Sequence, residues 1–207
     1  MTQELNGASQ GISQPPLVSS GSKDFAPTKE RVSLHGLGFI QVALPANKRL
    51  HVWHPDLPRR SCFEHSAIHN HRFSFKSTVM IGKQFNQRYE CILRSDGRYD
   101  RISHDGPRSD KGGRMSFING RADLMKSSPC EIYEPGESYL MPMLQYHDTP
   151  NSGIVVTLME KMEEGTTHAH SIITHGHVFD QSFDRFQLSQ YRLMEFVAYA
   201  LSKGSGE

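Results

Sequence analysis

Cysteine is scarce: Cys62, Cys91 and Cys130 are the three in a chain of 207 residues, scattered and odd in number. That excludes a disulfide scaffold, and no CxxC pair is present to build a zinc module. It suits a reducing compartment, so a cytoplasmic location is expected. No apolar run approaches the length of a membrane span. The opening residues, MTQELNGASQ, lack the basic-then-apolar pattern of a secretory signal. An excess of charge of either sign is also missing: 23 Lys and Arg stand against 22 Asp and Glu, for a formal net charge of +1. A dedicated nucleic-acid or anionic-membrane binder is therefore not expected. Helical periodicity is rare as well, and no strand-helix-strand rhythm appears, which argues against a parallel α/β fold.

What is present is a series of short alternating segments. Residues 1–30, rich in Ser, Gly, Gln and Pro, read as a flexible N-terminal arm. From residue 31 to 180 the chain reads as one β-barrel. GFIQVAL and KRLHVW look like adjacent strands joined at the turn signal PAN. SAIHNHRFSF and STVMIG form one long strand or two, closed by Gly82, and QFNQRYECIL follows as another. Residues 94–129 are polar and glycine-rich, and read as a long loop or lid with one short strand pair at most. EIYEPGESYLMP, GIVVTLMEKM and HAHSIITHGHVF supply further strands. Residues 181–207 hold the one clear helix, LSQYRLMEFVAYALSKG, with Ser189 as N-cap, an apolar stripe at Leu193, Val197, Ala200 and Leu201, and Gly204 past its end. The expected fold is all-β, most simply a jelly roll, with one C-terminal α-helix packed on it.

Histidine is the residue in excess: there are twelve, most of them near 51–71 and 168–177. In HSAIHNHRFSFKSTVMIG, strand parity puts His69, His71, Phe73 and Phe75 on one face. Two imidazoles beside phenyl rings suit one metal in an apolar pocket, and His147 is the candidate third ligand. The bland alternative is three histidines bonded to backbone carbonyls. Arg49, His51 and Trp53 share a strand face. Turned inward they line the pocket, with Arg49 gripping a substrate carboxylate; turned outward they are an exposed strand face. Tyr89 and Tyr139 either supply an acidic hydroxyl near the metal or are buried with satisfied hydroxyls. His65 is either a partner that orients a ligand imidazole or a loop residue. His168, His170, His175 and His177 either form a second metal site or a solvated patch, and the patch is favoured.

These residues resemble the two motifs of the cupin superfamily. The first reads G, five residues, HxH, three or four residues, E, six residues, G; here His69, His71 and Gly82 match, Phe75 fills the glutamate position and Phe63 the first glycine. The second reads G, five residues, PxG, two residues, H, three residues, N; here Gly136, Pro142, His147 and Asn151 match, with Leu144 at the middle glycine. The resemblance covers about residues 36–162. It implies a cupin-type jelly-roll barrel with His69, His71 and His147 as metal ligands and no carboxylate ligand. Within the superfamily, LHVW and SAIHNHRFS are similar to the thiol dioxygenases, of which cysteine dioxygenase is one. The chain departs from that branch at Lys76, where a cysteine would align, at Glu164, where a tyrosine would, and at Gln41, near the position of the substrate-binding arginine. There is also a similarity to uncharacterised cupin-like proteins of tailed bacteriophages.

Three neutral imidazoles leave a divalent ion its full charge and open positions for an anionic substrate and, on iron, dioxygen. The leading expectation is a mononuclear non-haem Fe(II) dioxygenase-like enzyme acting on a small polar or thiol-bearing molecule. A zinc, nickel or manganese hydrolase or isomerase is one alternative, and a non-catalytic ligand-binding or assembly module is another. The expected partners are a small-molecule substrate and a second copy of the chain paired through strand edges, with no nucleic acid and no membrane.

Overall fold

The computed structural model describes residues 31–204. The arm read at residues 1–30 lies outside the described residues. The elements run β1 (Val32–His35), β2 (Phe39–Ala43), β3 (Lys48–Trp53), α1 (Phe63–Ser66), β4 (Phe73–Ile81), β5 (Gln84–Leu93), β6 (Tyr99–Ser103), β7 (Phe117–Lys126), β8 (Glu131–Tyr133), β9 (Ser138–Met141), β10 (Tyr146–Asp148), β11 (Val155–Glu164), β12 (His170–Thr174) and α2 (Gln190–Ser202). They build two antiparallel sheets, in the orders β1-β2-β3-β11-β4-β9 and β10-β5-β7-β6-β12, with β8 added on β5. From β9 to β12 successive strands alternate between the sheets, as a jelly roll requires. The chain is all-β with one C-terminal helix, a two-sheet β-sandwich.

Alternation along β3 sorts its side chains to opposite faces of the first sheet. Leu50 and Val52 join Val32, Leu34, Ile40 and Val156 in an apolar layer, which α2 covers with Leu193, Val197 and Ala200. The Ser189 hydroxyl accepts from the Arg192 amide at 3.1 Å, capping α2 as its sequence predicts. Arg49, His51 and Trp53 point the other way, toward the second sheet. Gly82 turns β4 into β5 with φ +76°, and a Cβ there would stand 2.2 Å from the Ile154 carbonyl oxygen, so only glycine fits.

Two expectations are corrected. Residues 94–129 do hold one strand pair, β6 with β7, but it is not short, since β7 runs for ten residues. Their polar text hides three buried apolar positions, Ile102, Ala122 and Leu124. Nor is SAIHNHRFSF a strand up to Arg72. Residues 63–66 form the single turn α1, and the strand begins at Phe73. Between them His69 makes isolated bridges to both His147 and Ser171. His69 and His147 exchange both backbone hydrogen bonds, at 3.0 and 2.9 Å. On the other side Ile172 N–H donates to Ile68 and Asn70 N–H to His170, both at 2.9 Å. Residues 68–70 therefore join β10 to β12, the two edges of the second sheet, and close it on itself.

The helix is held by its apolar stripe. Leu193→Ala, at a fully buried position, is expected to lower unfolding free energy by about 2–5 kcal/mol in urea denaturation.

Candidate metal centre

The closing rung and the strand beside it bring the three histidines together. His69 and His147 sit opposite each other on that rung, and His71 follows two residues on. The ring centroids are 4.7 Å apart for His69–His147, 4.8 Å for His69–His71 and 5.3 Å for His71–His147. The ligating nitrogens of all three lie within 4.8 Å of one another, the only such group of three His, Cys, Asp or Glu side chains among the described residues.

The neighbours of each ring decide which nitrogen is free. His69 Nδ1 donates to the Ala67 carbonyl at 2.9 Å, which leaves Nε2 with its lone pair. His147 Nδ1 meets Asn86 Oδ1 at 2.9 Å. The Asn86 amide cannot be reversed, because its Nδ2 donates to Glu131 Oε2 at 2.7 Å. Asn86 thus presents an acceptor to His147 Nδ1, and His147 Nε2 is left bare. That Nε2 stands 3.1 Å from His71 Nε2. Two imidazole nitrogens bound to one ion at about 2.0–2.2 Å stand roughly 2.9–3.5 Å apart, so this pair already has the spacing of a shared metal. Burial lowers the His69 pKa to about 4. Burial, followed by the neighbouring imidazoles, pushes His71 and His147 well below the ordinary value. All three are neutral donors at physiological pH, as metal ligation needs.

Behind the ligands, Glu131 also receives Arg88 Nε and the Tyr133 hydroxyl, at 3.1 and 3.0 Å. Burial opposes its ionisation, but the bonds from Asn86, Arg88 and Tyr133 hold its carboxyl below the usual range. A carboxylate thus serves the site at one remove, through an amide. Phe75 is buried and stands edge-on to His71 at 5.1 Å, with its ring 6.3 Å from His147. Phe73 lies 5.2 Å from His71. With Tyr139, Met141 and Met159 they form an apolar wall. Leu144, at the motif's middle glycine, has φ +62°, the left-handed backbone glycine favours. Its N–H donates to the His71 carbonyl at 2.8 Å.

The remaining sequence candidates divide. Arg49 lines the same cavity of about 410 Å³ as His69, His71 and Phe73. Its guanidinium lies over the Phe73 ring at 5.7 Å. His51 faces inward but packs on Phe39 at 4.7 Å, behind the cavity wall. Trp53 is corrected: it is buried against Phe39 at 4.4 Å and borders a separate hollow with Phe63 and Asn151. Tyr89 is corrected too. It sits on the opposite face of β5 from Asn86, bonded to Asp148 at 3.3 Å and packed with Tyr146 and Leu124. Burial and then the Asp148 charge raise its pKa, the reverse of an acidic hydroxyl. Tyr139 stacks on Tyr133 at 4.7 Å within the apolar wall. His65 stacks on His177 at 3.6 Å, and His175 bonds Asp100 at 2.9 Å. His168 borders the cavity, and the His170 amide bonds Asn70 Oδ1 at 2.7 Å. The four late histidines are dispersed and form no second centre among the described residues.

Sequence reasoning missed Asn86 and Glu131: Asn86 is two residues from Arg88 on β5, but both meet Glu131 only through a pairing with β8 that no local pattern announces. It also missed His104, held between Ser116 Oγ at 2.7 Å and Ser171 Oγ at 2.8 Å on the cavity wall.

No protein-family model matches the chain, and no curated protein does. Among solved structures, one similar chain is hydroquinone 1,2-dioxygenase from Sphingomonas sp. TTNP3, crystallised with 4-hydroxybenzoate bound. The identity is 13% and the TM-score 0.32, and the match covers 61% of this chain and 65% of that one. This chain therefore matches less than two thirds of that neighbour's length. A likeness so distant adds nothing to the fold, which stands on strand order and register. Among the described residues no helix is long and apolar enough to cross a membrane. All three cysteines are free.

Two outcomes follow. Asn86→Ala removes the acceptor that sets the His147 tautomer, and should weaken zinc or iron affinity by about 10–100-fold in chelator competition. Burial and nearby cations lower the pKa of His51 to about 3 and of His104 to about 4. The unfolded chain takes up those protons near pH 6.5 and the folded chain does not, so stability is full above that pH and falls as pH drops towards 4. The melting temperature of metal-free protein should follow this course, with a shallower fall in His104→Gln.

Proposed function

We propose that this protein is a mononuclear three-histidine metal enzyme of the dioxygenase type, acting on a small anionic molecule. The observation that carries the reading is the 3.1 Å approach of His71 Nε2 to His147 Nε2, with Asn86 committing the His147 lone pair to that side. The bound metal, as Fe(II), would supply Lewis acidity and a redox centre for dioxygen. His69, His71 and His147 hold it with neutral donors, so an anionic substrate is drawn to the undiminished charge. Phe73 and Phe75 exclude water from one flank and strengthen electrostatic interactions there. Arg49 has no ion-pair partner among the described residues, and orients a carboxylate or like group from the cavity side.

A thiol-bearing acid fits this reading. Gln41, near the position where the thiol dioxygenases carry an arginine, accepts from Arg185 Nη2 at 3.1 Å. A guanidinium is thus supplied at that position from the segment before α2. The missing cysteine and tyrosine of that branch, at Lys76 and Glu164, leave the thiol itself as the finer part of the proposal.

Anaerobic reconstitution with Fe(II), followed by oxygen-electrode measurements over small polar and thiol-bearing acids, tests it. Uptake that depends on iron and disappears in His147→Ala is expected. No uptake with any acid, from protein that retains tight zinc after purification without an affinity tag, sinks the oxygenase reading.

A further inference from the structure

The cavity in front of the three histidines is lined by six arginines (49, 60, 72, 108, 114 and 185) and two aspartates (105 and 180). Half of the arginines are engaged locally: Arg60 with the Ser66 carbonyl and the Phe179 ring, Arg72 with Glu164, and Arg114 with the Gly106 carbonyl. Asp180 is taken up by Ser61 and Ser182.

The other three are different. Arg49 makes no hydrogen bond or ion pair among the described residues. Arg108 donates only to the Gly112 carbonyl, at 3.2 Å. Arg185 is anchored to neutral oxygens, those of Leu34 at 3.1 Å, Ser33 at 2.9 Å and Gln41 at 3.1 Å. None of the three forms an ion pair among the described residues, and the Glu164 charge felt by Arg49 is already held by Arg72 and Lys161. The three come from separate elements: β3, the β6–β7 connection and the segment before α2. Burial and then the charges of Arg108 and Arg49 lower the Arg185 pKa to about 10. Three like charges gathered at a cavity wall are unfavourable unless something of opposite sign completes them.

The connection carrying Arg108 is held in place. Arg108 and Arg114 form a bridge, and Ser109 N–H donates to Gly113 at 2.8 Å. Arg185 N–H donates to the Lys111 carbonyl at 3.1 Å. Gly112, at φ +77°, lets this connection lie against Phe186, since a Cβ would meet that ring at 2.8 Å. The glycine thereby lets the connection carrying Arg108 pack on the segment carrying Arg185.

We infer that Arg49, Arg108 and Arg185 form a binding site for the doubly negative end of the substrate, such as a phosphate monoester or a dicarboxylate, while its other end faces the three histidines. One carboxylate would offset a single guanidinium; a dianion matches a cluster of three. A cavity of about 410 Å³ suits a small molecule of this kind. The naming of the far end rests on the metal-enzyme reading, but the anion site does not.

The test is calorimetric titration of chelator-treated, metal-free protein at pH 8 with inorganic phosphate, succinate and acetate. Phosphate or succinate should bind one to one and acetate much more weakly, with the better of the two dianions identifying the headgroup. Arg49→Gln and Arg108→Gln should each weaken the dianion about tenfold or more. Gly112→Ala should weaken it while every charge is kept. Arg192→Gln, which breaks a surface pair with Glu195, should leave it unchanged. Arg185 is left intact because it ties Leu34 into the fold. Acetate binding as tightly as the dianions, no dianion binding, or full affinity in both glutamine variants overturns the site. Dianion binding without iron-dependent oxygen uptake leaves the site standing and removes the oxygenase reading.

Discussion

The backbone exchange between His69 and His147 is the contact on which the centre depends. It seals β10 to the segment 68–70, while hydrogen bonds to Ile68 and from Asn70 seal that segment to β12. An open sheet would leave both edges with unpaired amide and carbonyl groups. Here one short extended rung satisfies both, and its side chains are spent on chemistry. Two of the three candidate ligands are opposed residues of a single rung, so their separation is set by main-chain hydrogen bonds rather than by side-chain packing. His71, two residues on, needs only local extended geometry to join them. The site is as rigid as the closure of the sheet.

That rigidity extends outward through a polar chain. Glu131 fixes the orientation of Asn86, Asn86 fixes the tautomer of His147, and the Ala67 carbonyl does the same for His69. A carboxylate bonded directly to an imidazole would pass more negative charge to the metal. The intervening amide gives orientation with little charge. Together with Phe75 beside His71, this keeps the centre cationic once a divalent ion is bound. On the cavity side the arginines add charge of the same sign. The two sheets thus frame a small volume whose metal side and arginine side both favour an anion.

Much of this was legible in the sequence. Strand parity placed His69, His71, Phe73 and Phe75 together, and the resemblance of Gly136, Pro142, His147 and Asn151 to the second cupin motif implied the third ligand. The helix was readable from Ser189 to Ser202 because capping and periodicity are local. What was not legible is long-range. Asn86 reaches Glu131 through the pairing of β5 with β8, and Arg185 reaches Gln41 across 144 positions. Sequence alone leaves Tyr89 as a metal-side hydroxyl or a buried, bonded phenol, and register with Tyr146 turns it to the other face of β5 from Asn86. β6 and β7 were concealed because they invert the usual pattern: Asp100 and Ser103 are buried, while Phe117, Ile118 and Met125 are exposed.

Leu144 and Phe75 show why a degenerate motif can still carry information. The middle glycine of the second motif is absent, yet Leu144 adopts the left-handed backbone that glycine would, at φ +62°, and its amide holds the His71 carbonyl. A non-glycine residue in that conformation costs on the order of 1 kcal/mol, and the half-exposed side chain recovers little by burial. The turn from Pro142 to Gln145 uses this backbone to deliver His147 to its rung. At Phe75 the reverse holds. Phe75 lies in regular strand and packs with Tyr139, Met141 and Met159, so a buried phenyl ring stands at the position where the resembling motif has a carboxylate. The first departure is geometric and leaves the site's shape unchanged. The second is chemical and changes what the site can hold, which is why the candidate function follows from Phe75 and the arginines more than from the matched glycines.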